Sequence, residues 1–148
     1  MNNEIYIPPR LAQWAVIQGS RVLTLFAVLQ GAAIIVTDAE RWSAPAYENA
    51  LLVPGAPPTW GGLMLVAGTV AMYGGLAQLY RFISTGFYLC GIWCIFFAVL
   101  FGKAFFENED TSAMGLLVYS FLTLMYVGLG EVYRNTRKAR DAAEGSDT

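Results

Sequence analysis

The sequence predicts an all-α fold: an integral membrane four-helix transmembrane bundle, N-in/C-in. Three observations predict it. First, 56% of the 148 residues are hydrophobic and only 14% are charged, whereas a soluble domain carries about 25% charged residues. The mean hydropathy of +0.48 agrees. Second, four stretches approach the roughly 20 mostly apolar residues that a membrane-spanning helix needs. They cover about 11–36, 61–80, 82–102 and 112–130. Third, the basic residues alternate with the spans. With the N-terminus inside, Arg10, Arg21, Arg81, Arg134, Arg137, Lys138 and Arg140 fall inside, and only Arg41 and Lys103 fall outside. Cytoplasmic loops carry that excess.

The first span opens at Pro8-Pro9, since proline suits the first helical turn. Leu11–Gly19 is apolar enough to continue as helix into the stretch ending at Val36. An alternative lays residues 10–20 on the inner membrane surface; the longer helix is preferred. Ile34-Ile35-Val36-Thr37-Asp38 offers no small-x-small cleavage site, so the span reads as retained rather than as a signal peptide.

The outer loop 37–60 holds Pro45, Pro54, Pro57 and Pro58. A connection this long is commonly functional or packed on a surface. Trp42, Tyr47 and Trp60 are placed to act as interfacial anchors at the headgroup level. Tyr80-Arg81-Phe82 reads as a tight inner turn between the second and third spans, and residues 103–111 as a short acidic outer turn. The four spans form one transmembrane domain over residues 1–130. Residues 131–148 read as a cytoplasmic charged tail, in which Arg134, Arg137, Lys138 and Arg140 face lipid, where anionic headgroups attract basic segments. A plain topology anchor is the other reading of that cluster.

Small residues recur along the spans. Gly86, Cys90, Cys94, Ala98 and Gly102 are spaced by four in the third, and Ala67, Ala71 and Gly75 in the second. Small faces let helix backbones approach closely in lipid, so these are the predicted helix-packing residues. They could face the protomer's own bundle or a second copy. A redox role for the two cysteines is disfavoured, because both lie within an apolar run where a thiolate is hard to form.

Polar side chains inside the spans are few. Gln30 and Gln78 are expected to hydrogen-bond between helices. No ionisable residue sits at the centre of a span, whereas proton relays and ion-coupled transport use such groups. The chain has no histidine, which removes the commonest general base and metal ligand. No catalytic, cofactor-binding or metal site is expected, and the protein reads as non-enzymatic. With 9 basic residues against 11 acidic there is no cationic field for nucleic acid.

The segment Glu40-Arg41-Trp42-Ser43-Ala44-Pro45-Ala46-Tyr47, followed by Val53-Pro54-Gly55-Ala56-Pro57-Pro58-Thr59-Trp60-Gly61, resembles the first outer loop of small four-span membrane proteins of phages that infect actinobacteria. The likeness covers about residues 30–75, with the same four-span layout elsewhere. Such proteins are described as holin-like. The resemblance implies a phage or prophage protein, multi-pass, of the bacterial inner membrane; with the small-residue faces it leads to the expectation of a holin-like homo-oligomer that self-associates and permeabilises the host membrane. Its partners would be the lipid bilayer and another phage membrane or lysis protein. The alternative is a membrane-anchored interaction or regulatory protein, such as a prophage exclusion factor or accessory subunit. It would act through loop 37–60 or the tail.

Overall fold

The computed structural model describes residues 9–37, 47–52, 54–107 and 112–145. Every regular element among them is helical: α1 (Pro9–Val36), the single-turn α2 (Glu48–Leu51), α3 (Pro58–Leu76), α4 (Tyr80–Glu107) and α5 (Met114–Gly145). All but α2 are long and apolar enough to cross a membrane. Their outward faces carry Val22, Leu29, Val66, Ile92, Val99 and Leu124, each more than half exposed. Apolar surface spread over four helices is unstable in water and at ease in lipid, the pattern of a multi-pass membrane protein.

Each long helix packs on the next in chain order, α1 on α3, α3 on α4 and α4 on α5, while α1 and α5 meet at only a few points. The bundle is therefore a folded row whose two outer members barely close on each other. Alternation of direction brings the start of α1, the α3–α4 turn and the end of α5 to one end, here the terminal end. The end of α1, α2, the start of α3, the end of α4 and the start of α5 lie at the opposite end.

The α1–α3 and α3–α4 contacts are made by glycine. A Cβ at Gly31 would lie 2.5 Å from the Leu65 backbone nitrogen, and one at Gly86 would lie 2.5 Å from that of Ala71. At such separations the helices touch backbone to backbone, which is how packing replaces the hydrophobic drive in lipid. α4 is the most enclosed helix, with half of its apolar window inside the protein, against 11% for α5.

Several boundaries differ from the sequence reading. α3 starts at Pro58 and stops at Leu76, where helix over 61–80 was expected. The turn falls at residues 77–79 rather than at Tyr80-Arg81-Phe82. Gln78 adopts φ +54°, and the Leu79 N–H reaches back to the Gly74 carbonyl at 2.8 Å. That bond and a left-handed residue define a Schellman-type stop. Glycine usually marks it, so the glutamine concealed it. Gln78 is consequently an exposed turn residue, not a bond between helices. α4 continues to Glu107, five residues past Gly102. The expected charged tail is helix as far as Gly145, carried by the Glu131–Arg134 pair at 2.6 Å and the Arg137–Asp141 pair at 3.8 Å, spacings that support a helix. At 1.5 Å per residue α5 is about 48 Å long, against a hydrocarbon core of about 30 Å.

Candidate functional site

The expected packing residues divide by position. Ala67, Ala71, Gly86, Cys90, Cys94 and Gly102 are buried within the protomer, and Ala98 is half-buried. Gly75 is exposed, and a Cβ there would meet nothing within 4 Å. Its neighbour Gly74 makes the close contact instead, against the Ile83 backbone nitrogen at 2.5 Å from an added Cβ. The helix is wound so that Gly74 and Ala71 share the α4-facing side. Cys90 and Cys94 are free thiols beside Tyr126 of α5. The small faces of α3 and α4 are thus largely consumed inside one chain.

Trp42 lies outside the described residues. Tyr47 and Trp60 turn inward rather than outward. Trp60 stacks on Phe96 at 4.5 Å between ring centroids and meets Phe97 edge-on. Its indole N–H donates to the Ala50 carbonyl at 2.8 Å, and its own carbonyl accepts from the Trp93 indole at 3.0 Å. Tyr47 packs edge-on against Phe101 at 5.1 Å. Tyr47 and Trp60 are held against α4 by aromatic burial, because each ring has a large apolar body and a polar tip.

The feature that the sequence reading missed is a tyrosine ladder. Tyr119, Tyr126 and Tyr133 recur every seven residues, two turns apart on one face of α5. That face closes the bundle toward α1. The Tyr126 hydroxyl donates to the Leu23 carbonyl at 3.0 Å. Ser20 Oγ gives its proton to the Ile17 carbonyl at 2.8 Å. The Tyr133 hydroxyl, 2.9 Å from Ser20 Oγ, must then be the donor in that pair. Further along, Gln30 and Tyr47 stand beside the Tyr119 hydroxyl. Burial pushes the Tyr47 phenol up, partly offset by its bond with Tyr119, so it remains a neutral hydroxyl at physiological pH.

These groups form one line. It runs from Ser20 and Tyr133 at the terminal end, through Tyr126, to Gln30, Tyr119 and Tyr47 at the opposite end. It follows the seam where α1 and α5 have little other contact. Among the described residues Gln30 Oε1 is buried there without a hydrogen-bond partner, a costly state for an amide in an apolar medium. At the terminal end the seam widens into a cavity of about 460 Å³ between α1, α3, α4 and α5. The arrangement offers neutral donors and acceptors spaced through the bundle, a chemistry suited to holding or admitting water.

Arg134, Arg137, Lys138 and Arg140 lie on the terminal extension of α5. Arg134 is bound to Glu131 at 2.6 Å, and Glu131 also accepts from the Tyr88 hydroxyl at 2.6 Å. Arg134 is thus engaged within its own helix.

Compared with known proteins, the chain matches no protein-family model, no curated protein and no solved structure.

Proposed function

We propose that the chain is a non-enzymatic, holin-like protein of a phage or prophage that self-associates in the bacterial inner membrane and permeabilises it. The observation that carries this reading is the polar seam. It runs along the α1–α5 contact, far sparser than the contacts between helices that follow one another in the row, and the hydroxyls that close it can exchange one another for water. Self-association uses the outer faces of α1 and α5. Each of these helices has one main neighbour in the protomer, and Gly128 of α5 leaves an open notch where a Cβ would meet nothing. Copies that replace the α1–α5 contact with contacts to each other would join their seams.

In this reading the terminal end is cytoplasmic, because Arg10, Arg21, Arg81 and the α5 extension gather there. Alkaline phosphatase fused after Asp110 is expected to be active, and the same enzyme fused after Gly145 inactive. The reverse pattern would overturn the orientation.

Induced expression in a bacterium carrying a potential-sensitive dye tests the function. The membrane potential should hold, then collapse within a short interval once enough protein has accumulated. Cells that keep their potential with the protein inserted would exclude permeabilisation. That outcome would favour the second reading, a membrane-anchored regulatory or accessory protein. Its support is the helical, charged extension of α5, which outruns the bilayer and offers a rigid surface to a partner.

A further inference from the structure

Two concavities adjoin at the terminal end. The first is the 460 Å³ cavity, whose walls are mainly apolar: Leu25, Met72, Leu76, Ile83 and Phe87, with Gly75 leaving room at the α3 side. The second, of about 320 Å³, shares Gln78 and Tyr80 with it and is lined by Arg81, Arg137, Arg140 and Asp141. Arg21 lines the first cavity, and among the described residues it has no ion-pair partner.

Three guanidinium groups and the Asp141 carboxylate thus line the second recess among the described residues, and Arg21 lines the adjoining cavity. Among the described residues the Arg137 Nε atom is buried without a hydrogen-bond partner, although its side chain as a whole is 38% exposed; its ion-pair partner Asp141 Oδ2 stands 3.8 Å away, beyond hydrogen-bond reach. A buried guanidinium nitrogen calls for an anionic acceptor, and the planar fork of arginine matches phosphate oxygens. The neighbouring apolar chamber calls for hydrocarbon. A ligand with both parts, a phosphate beside acyl chains, satisfies the pair together. Basic pockets between spanning helices at the membrane surface take anionic lipid headgroups in this way.

We infer that the terminal end holds one anionic phospholipid, its phosphate among Arg81, Arg137 and Arg140 and an acyl chain in the chamber between Met72, Gly75 and Phe87. The acyl chamber is the cavity into which the polar seam opens, but lipid retention and permeabilisation are read separately, so either can fail without the other.

Native mass spectrometry of the detergent-purified protein tests it, with dioleoyl phosphatidylglycerol, dioleoyl phosphatidylcholine or inorganic phosphate added. One phosphatidylglycerol is expected to be retained at least tenfold better than phosphatidylcholine. Arg81→Gln/Arg137→Gln should lower that preference to about twofold or less. Gly75→Phe fills the chamber and should lower retention while leaving the helical circular dichroism spectrum unchanged. Equal retention of the two lipids would overturn the proposal, as would a preference that survives both variants. Inorganic phosphate that displaces the lipid completely at millimolar concentration would also overturn it, by reducing the site to a simple anion pocket.

Discussion

Gly86→Leu should lower the melting temperature of the detergent-purified protein by about 6–12 °C, whereas Gly75→Leu should leave it unchanged or raise it. Both glycines stand in small-residue rows of adjacent helices, so the sequence treats them alike. The structure separates them. A Cβ at Gly86 would lie 2.5 Å from the Ala71 nitrogen, 2.7 Å from its Cβ and 2.8 Å from the Ala67 carbonyl oxygen. Two of these three are backbone atoms of α3, which cannot swing aside like the end of a flexible side chain. Overpacking of this kind costs up to about 3 kcal/mol, and each kcal/mol is worth about 2–4 °C in a chain of this size. At Gly75 an added side chain enters open space and gains up to about 1 kcal/mol of helix propensity. Equal effects of the two substitutions, read by circular dichroism or scanning fluorimetry, would contradict the α3–α4 packing.

Removing the seam hydroxyls should bring permeabilisation forward. Tyr126→Phe/Tyr133→Phe deletes the bonds to the Leu23 carbonyl and to Ser20 while keeping both rings against Phe87, which lies 6.1 and 6.0 Å from them by ring centroid. Hydrogen bonds between helices in membranes average about 0.6 kcal/mol and reach about 1.7. Loss of two therefore costs roughly 1–2 kcal/mol, a factor of about 5–30 in an open-to-closed ratio. In the expression assay the collapse of potential should come earlier and at lower protein level. Tyr73→Phe serves as the control, because Tyr73 is exposed on α3 and packs on Phe82 at 5.8 Å, away from the seam. A double variant that melts earlier yet permeabilises on the wild-type schedule would make the ladder a structural tie and nothing more.

The fold was legible where lipid sets the rules. The four apolar stretches and the alternation of basic residues gave four long helices with the arginines of the terminal end together, because hydrocarbon thickness and charge placement act on composition alone. The α3 stop was not legible, since Gln78 takes the left-handed role that glycine usually marks. The helical extension of α5 was hidden by its charge, which reads as a solvated tail until the spacings Glu131–Arg134 and Arg137–Asp141 are considered. The inward turn of Tyr47 and Trp60 depends on their meeting Phe96, Phe97 and Phe101 in space. No local pattern announces that. The tyrosine ladder is different. Its seven-residue recurrence stands in the sequence, but tyrosine passes for an ordinary apolar residue when spans are counted, and its meaning appears only when Leu23, Ser20 and Gln30 are found opposite.

The small-residue rows also changed meaning. Gly86, Cys90 and Cys94 suited either the protomer or an assembly. Their burial within one chain transfers the question of self-association to α1 and α5, the helices that the row leaves at its ends.

Dye release from liposomes reconstituted with the purified protein tests the permeabilising function most directly, since no host component can intervene. Vesicles loaded with carboxyfluorescein should lose it at a rate that rises more than in proportion to the protein-to-lipid ratio, and faster with Tyr126→Phe/Tyr133→Phe. Vesicles that retain the dye at every ratio, with the protein inserted and helical, would contradict the account.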